Sequence, residues 1–191
     1  MRSMSMMVSA AAALALVGCA RSNVHAGHGM EAASPSSATS GTTMSQMGAT
    51  KTPAMNIDAD TARLRAATAA FRSRDAALAA GYAVKNPACI AHPSMGAMGY
   101  HLDNDALKDD RIEVERPEVL VYRRTPAGEY ELTGVEYMVP FSAHAPTLPP
   151  PTVMGQALRP FAPGKFWYRH VWAWSDNPSG LFEDWNPRIS C

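Results

Sequence analysis

Between Cys19 and Met55 the chain carries almost no bulky aliphatic or aromatic side chain. Ser, Thr, Ala, Gly, Met and His make up most of that stretch. Such a segment cannot bury enough apolar surface to offset the entropy lost on ordering. The expectation is a disordered tether over residues 19–55, with folding confined to residues 56–191. About 135 residues are enough for one domain around one core, and no internal repeat divides them.

Within that domain the sequence predicts an α+β fold. One long N-terminal helix packs on a curved, mostly antiparallel sheet or partly closed barrel. The helix is expected to start at an Asp58 or Asp60 cap and run to about Ala80. Leu64, Ala67, Phe71 and Leu78 form its apolar stripe and Gly81 its C-terminal stop. Asp105 is a candidate cap for a short turn through Leu107. Val119–Arg123 and Tyr130–Val139 read as a hairpin across the Pro126-Ala127-Gly128 turn. Pro140–Gly164 is expected to be a long proline-rich connection lying over one end of the sheet. Phe166–Trp174 is the last strand.

The N-terminus has the three parts of an export signal. Arg2 supplies a positive charge, Met6–Val17 is apolar but short for a membrane span, and Leu16-Val17-Gly18 precedes Cys19. This pattern predicts a lipoprotein signal peptide over residues 1–18, lipidation of Cys19, and attachment to a bacterial membrane on its periplasmic or cell-surface face. A plain secretory signal with an incidental cysteine is the alternative. Acyl chains anchor because each buried methylene contributes about 0.8 kcal/mol. Cys89 and Cys191 then remain. In an oxidising compartment they are a candidate disulfide, and the absence of CxxC spacing favours this over metal thiolates or free thiols. The chain has 17 basic and 17 acidic residues, a formal net charge of zero. This gives no electrostatic case for a nucleic-acid partner.

A set of segments recurs together: Ala80-Gly81-Tyr82, Cys89, Gly96-Ala97-Met98-Gly99-Tyr100-His101, Pro117–Tyr122, Gly134-Val135-Glu136-Tyr137, His170-Val171-Trp172-Ala173-Trp174, Asn177-Pro178 and Trp185-Asn186-Pro187 before Cys191. In these segments the chain resembles an uncharacterised family of secreted bacterial proteins and lipoproteins. The resemblance covers nearly the whole folded region. It implies an exported single domain and carries no chemistry with it.

Chemistry has to come from the strands. Side chains alternate across a sheet. Phe166, Tyr168, His170, Trp172 and Trp174 are therefore expected on one face, and Trp167, Arg169, Val171 and Ala173 on the other. The first set makes a candidate aromatic ligand pocket around Phe166, Tyr168, Trp172 and Trp174. In the preceding strand Leu132, Glu136 and Met138 share a face. Burying Glu136 alone is costly, so it needs a partner. His101, His170 and Arg169 are the candidates.

Two histidines and a carboxylate can hold a divalent metal, or act as an acid–base set. The candidate metal ligands are thus His101, Glu136 and His170. The packing alternative has His170 hydrogen-bonded in the core, Glu136 paired with an arginine and His101 capping a turn. Ligands more than about 8 Å apart could not share an ion, since metal–ligand bonds are near 2 Å.

The expected function is an exported lipoprotein that binds a small ligand or divalent metal. A metal-dependent or acid–base enzyme and a structural lipoprotein are the alternatives. His92 and His144 are weaker candidates. The Asp103, Asn104, Asp105, Asp109 and Asp110 cluster lacks calcium-loop spacing and reads as a solvated turn. His25, His28, Met30, Met44, Met47 and Met55 suit Cu(I) by ligand type, but their irregular spacing favours a plain linker. There is no nucleophile elbow and no phosphate loop.

Overall fold

In the computed structural model residues 56–191 are described, and all belong to one compact unit. The expected signal peptide, the expected lipidation site at Cys19 and the expected tether lie outside the described residues. No described helix is long and apolar enough to cross a membrane.

The helical region is broken where one helix was expected. It consists of α1 (Ile57–Thr68), a 3-10 turn (Ala69–Arg72) and α2 (Arg74–Ala79). Asn56, and neither aspartate, caps α1 by accepting from Ala59 N at 3.1 Å. Asp58 and Asp60 occupy the first turn, where negative charge suits the helix dipole. Ser73 caps α2 by accepting from Ala76 N. The intervening turn rotates the buried stripe. Thr61, Leu64, Thr68 and Ala77 face inward, whereas Ala67 and Leu78 are exposed. Gly81 terminates α2 at φ +94°.

The sheet dominates the domain. Six strands run antiparallel in the order β1 (Ile90–His92), β2 (Gly96–Asp103), β3 (Val119–Arg124), β4 (Tyr130–Pro140), β8 (Phe166–Val171) and β7 (Arg159–Phe161). The sheet curls into an open half-barrel. The remaining pair, β5 (Thr152–Val153) and β6 (Gln156–Ala157), forms a small hairpin. The β3–β4 hairpin is as the sequence predicts. The proline-rich segment differs, because it contains this small hairpin and donates β7 to the sheet edge. β1 and β2 also lie in a region the sequence left unassigned.

The two faces bury different things. Leu102, Leu120, Tyr122, Val135, Tyr137, Val139, Trp167 and Val171 pack with Leu64, Ala77 and Tyr82 of the helical side. The other face is covered by the C-terminal segment. Ala97, Trp172 and Ile189 cluster there. Ala97 and Asn186 exchange backbone hydrogen bonds, each 3.2 Å. Cys89 and Cys191 fasten this segment beside β1, at disulfide distance with Cα atoms 5.7 Å apart.

Two local departures break the expected alternation. A bulge shifts the β3–β4 register between Val121 and Tyr122. It places Leu132 in the helix-side core rather than beside Glu136. β8 ends at Val171, where Ala173 N bonds back to Val171 O. This turn sends Trp174 to the helix side, where its indole N–H donates to Thr68 Oγ1 at 3.0 Å.

Gly99 explains part of the Gly-Tyr-His motif. It adopts φ +106°, and a Cβ there would sit 2.4 Å from the Tyr122 carbonyl oxygen. Gly128 also has a positive φ, +86°, but its nearest neighbour would be the Arg124 side chain at 3.5 Å. Gly99→Ala is expected to lower Tm more than Gly128→Ala, since both add backbone strain of about 1–3 kcal/mol and only the former adds a backbone clash. Equal losses in thermal denaturation would contradict this close approach.

Candidate metal centre

β4 and β8 place two of the three polar residues opposite each other: Glu136 pairs with His170 in the antiparallel register. β2 supplies the third. His101 is opposite Val121, which is in turn opposite Gly134, two residues before Glu136 and on its face. Glycine at 134 lets the end of β8 come close, since a Cβ there would meet the Val171 carbonyl oxygen at 2.7 Å.

The three side chains converge. Each offers a ligand atom, and these atoms lie within 4.8 Å of one another. His101 Nε2 is 3.5 Å from Glu136 Oε2, and the two imidazole rings meet edge to face at 5.5 Å. All are buried, with His170 only 1% exposed. Trp172 stacks on His170 with ring centroids 5.7 Å apart. It is held there by hydrogen bonds to the Leu181 and Glu183 carbonyls.

The packing alternative fails on particulars. Neither ring nitrogen of His170 has a hydrogen-bond partner among the described residues. His101 Nδ1 also lacks a partner among the described residues. No arginine pairs with Glu136 among the described residues. Arg169 lies across the sheet and donates to the Ala157 carbonyl. Buried polar groups are normally satisfied, so three orphaned nitrogens on two adjacent imidazole rings require an explanation.

Burial sets the charge states. Desolvation pushes Glu136 up to about 8, with the nearby charges of Asp103 and Asp184 adding to the effect. Desolvation pulls His101 down to about 4 and holds His170 well below its ordinary value. At neutral pH the metal-free cluster is therefore mostly a protonated carboxyl beside neutral imidazoles. The 3.5 Å His101–Glu136 contact is not an ion pair in that state. Neutral imidazole nitrogens are what a metal ion needs, and only Glu136 must lose a proton to complete the set.

The aromatic pocket does not form as expected. Trp174 is on the opposite face. Phe166 and Tyr168 pack with Phe161 at the β7 edge, and Trp172 is the cover of His170. His92 packs on Trp185, 5.3 Å between rings. His144 contacts Trp167 on the helix side; neither joins the cluster. Two acids of the turn are paired, with Lys108 bridging Asp103 at 2.5 Å and Asp105 at 3.0 Å.

Two carboxylates, one buried and one half-buried, escaped the sequence reading. Glu118 is 1% exposed on the helix side, where it accepts from Met138 N at 3.0 Å. Burial pushes it up to about 7. Asp184 lies in the C-terminal covering segment. Its Oδ2 accepts from Tyr168 Oη at 3.0 Å and Arg159 Nη1 at 2.9 Å. No spacing in the sequence distinguishes either residue from a surface acid.

Glu136 binds its proton more tightly in the folded chain than in the unfolded one. The resulting stability is complete below about 4.5 and is withdrawn as pH rises towards about 8. Glu136→Gln is therefore expected to raise the Tm of chelator-treated protein, little at pH 5 and by on the order of 10 °C at pH 9. Equal Tm values at pH 9 would show that the carboxylate is not strained by burial.

Comparison of the chain with protein-family models, with curated proteins and with solved structures yields no match.

Proposed function

We propose that this is an exported, lipid-anchored protein whose domain binds one divalent first-row transition ion through His101, Glu136 and His170. The observation that carries the metal reading is the convergence of three side chains around an unpartnered His170. Two histidines and a carboxylate each bring one ligand atom within 4.8 Å of the others, and neither ring nitrogen of His170 has a hydrogen-bond partner among the described residues. A tetrahedral ion with bonds of about 2.0–2.2 Å holds its ligand atoms about 3–4 Å apart. The His101–Glu136 separation of 3.5 Å already fits, and side-chain rotations of roughly an ångström close the rest.

The ligand chemistry narrows the ion. Imidazole and carboxylate suit zinc, iron, cobalt, nickel or manganese. A set with no thiolate disfavours Cu(I), and one carboxylate with two imidazoles is a poor calcium site. Three protein ligands leave a coordination position open, the arrangement of zinc sites that retain a water.

Zinc titration of chelator-treated protein is expected to show one site, with His170→Ala weakening it at least 100-fold. His92→Ala and His144→Ala are expected to leave it unchanged. Because Glu136 must lose one proton, apparent affinity rises about tenfold per pH unit between roughly pH 5 and 8, then levels. Protonation of His101 contributes only near pH 4 and below. Undiminished zinc binding by His170→Ala would defeat the assignment.

The anchoring rests on Leu16-Val17-Gly18-Cys19 behind an apolar run. The Cys89–Cys191 pair supports it, because disulfides persist in oxidising compartments. Expressed in a bacterium with its full N-terminus, the protein is expected to fractionate with membranes, and Cys19→Ala to abolish labelling by a radioactive fatty acid. Labelling that survives this substitution would rule out Cys19 as the acylated residue.

A further inference from the structure

We infer that residues 181–191 form a gate over the metal centre, latched by the Cys89–Cys191 bond, and that metal enters and leaves when this strap lifts. The inference rests on the metal reading above and concerns how that same site is reached.

The three candidate ligands are closed off from solvent. His101 is 9% exposed, Glu136 6% and His170 1%. One side of the sheet at this point is filled by the helix-side core, with Leu120, Val135 and Val171 packed against Leu64 and Tyr82. The other side is crossed by the C-terminal strap. An ion approaching the cluster has the shorter path past the strap.

The strap runs from one wall of the half-barrel to the other. β2 and β8 are separated in the sheet by β3 and β4, about 14 Å if the sheet were flat. Curling brings their side chains together, with the His101 and His170 rings 5.5 Å apart. The strap ties the same two strands. At Asp184 it is fixed to β8 and β7, where the carboxylate accepts from Tyr168 Oη and Arg159 Nη1. Two residues later, Asn186 exchanges backbone hydrogen bonds with Ala97 of β2. Trp172 lies beneath. Its backbone N–H and indole N–H donate to the Leu181 and Glu183 carbonyls, at 2.9 and 2.6 Å. Ile189 and Ala97 pack around it, and its ring stacks on His170. One side chain therefore separates the strap from a candidate ligand.

The strap is held more lightly than the sheet it covers. Among the described residues its bridge to the strands is the single Ala97–Asn186 pair. Glu183, Pro187, Arg188, Ser190 and Cys191 are exposed. A segment with few ladder bonds and exposed backbone opens at lower free energy than the strands beneath it, which is the usual property of a lid. Gly180, at φ +128°, stands where the strap begins and gives it a hinge. The far end is secured by Cys191, bonded to Cys89 just before the edge strand β1. With the bond in place the strap is fixed at both ends and can only bow. Without it the strap is fixed at one end and can swing away from Trp172.

The test is the rate of Zn2+ exchange in the full chain, timed for release into excess chelator and for uptake by the metal-free protein. In the Cys89→Ser/Cys191→Ser double variant the latch is gone and no thiol from it can take zinc. Release and uptake are each expected to speed by about tenfold or more, with equilibrium affinity within about threefold of wild type. Loss of the bond also lowers Tm. Leu64→Ala, in the helix-side core, lowers Tm as well but should leave exchange within about threefold of wild type. Ile189→Ala keeps the bond and loosens the strap's seat on Trp172; it should speed both rates by about threefold or more. Unchanged exchange in either the double variant or Ile189→Ala would overturn the gate and leave the metal centre standing. Leu64→Ala speeding exchange as much as the double variant would also overturn it, because release would then follow global unfolding. So would a more than tenfold loss of equilibrium affinity in the double variant, since the bond would then shape the site and not its access. A wild-type chain that takes up no Zn2+ would overturn the gate and the metal centre together.

Discussion

β4 is an eleven-residue strand paired on both sides, and the rest of the domain depends on that double pairing. Its alternation separates two environments. Val135, Tyr137 and Val139 face the helical side, and Glu136 faces the covered side. A slip of one residue would exchange the two sets. It would put the carboxylate in the hydrocarbon core and a tyrosine among the histidines. The hairpin to β3 and the ladder to β8 fix the register from both edges. The placement of Glu136 is thus a consequence of backbone pairing more than of any contact the carboxylate makes.

The covered face is arranged at a cost to the stability of the chain. Three polar side chains are buried with little hydrogen bonding, in a region where Trp172, Ala97 and Ile189 would tolerate apolar neighbours. Burial neutralises all three rather than pairing them as ions. Interiors that hold unsatisfied polar groups without a functional reason are rare. Stability elsewhere offsets this: the helix-side core is large, and the Cys89–Cys191 link spans 102 residues of sequence. Closing a loop of that length contributes about 4–5 kcal/mol in the chain-entropy picture.

Strand periodicity made part of the site legible. It placed Glu136 and His170 in strands and flagged a buried carboxylate that needs a partner. It marked His101 as one of those partners, and the register then supplied the distances. What failed was alternation carried too far. The bulge near Thr133 moved Leu132, and the turn after Val171 moved Trp174; neither leaves a mark in residue type. β1 and β2 were hidden by glycines that look like loop residues, although Gly99 serves a close backbone approach within a strand. The helix break went unseen because Ala-rich sequence around Phe71 suits a continuous helix equally well. Asp184 was invisible for a different reason. Its hydrogen bonds to Tyr168 and Arg159 depend on a crossing of the C-terminal segment over the sheet, which no local pattern encodes.

The three candidate ligands come from β2, β4 and β8, so no stretch of chain carries the site by itself. A chain in which β8 has not yet docked offers His101 and Glu136 without the third member. On the metal reading, the ion is acquired as folding finishes, and its hold reports that the last strand has found its place. The identity of the ion is then set by the pool of metals surrounding the chain at that moment. An exported protein that completes its sheet outside the cytosol would be loaded from what that compartment supplies, beyond the reach of the cell's interior metal buffering.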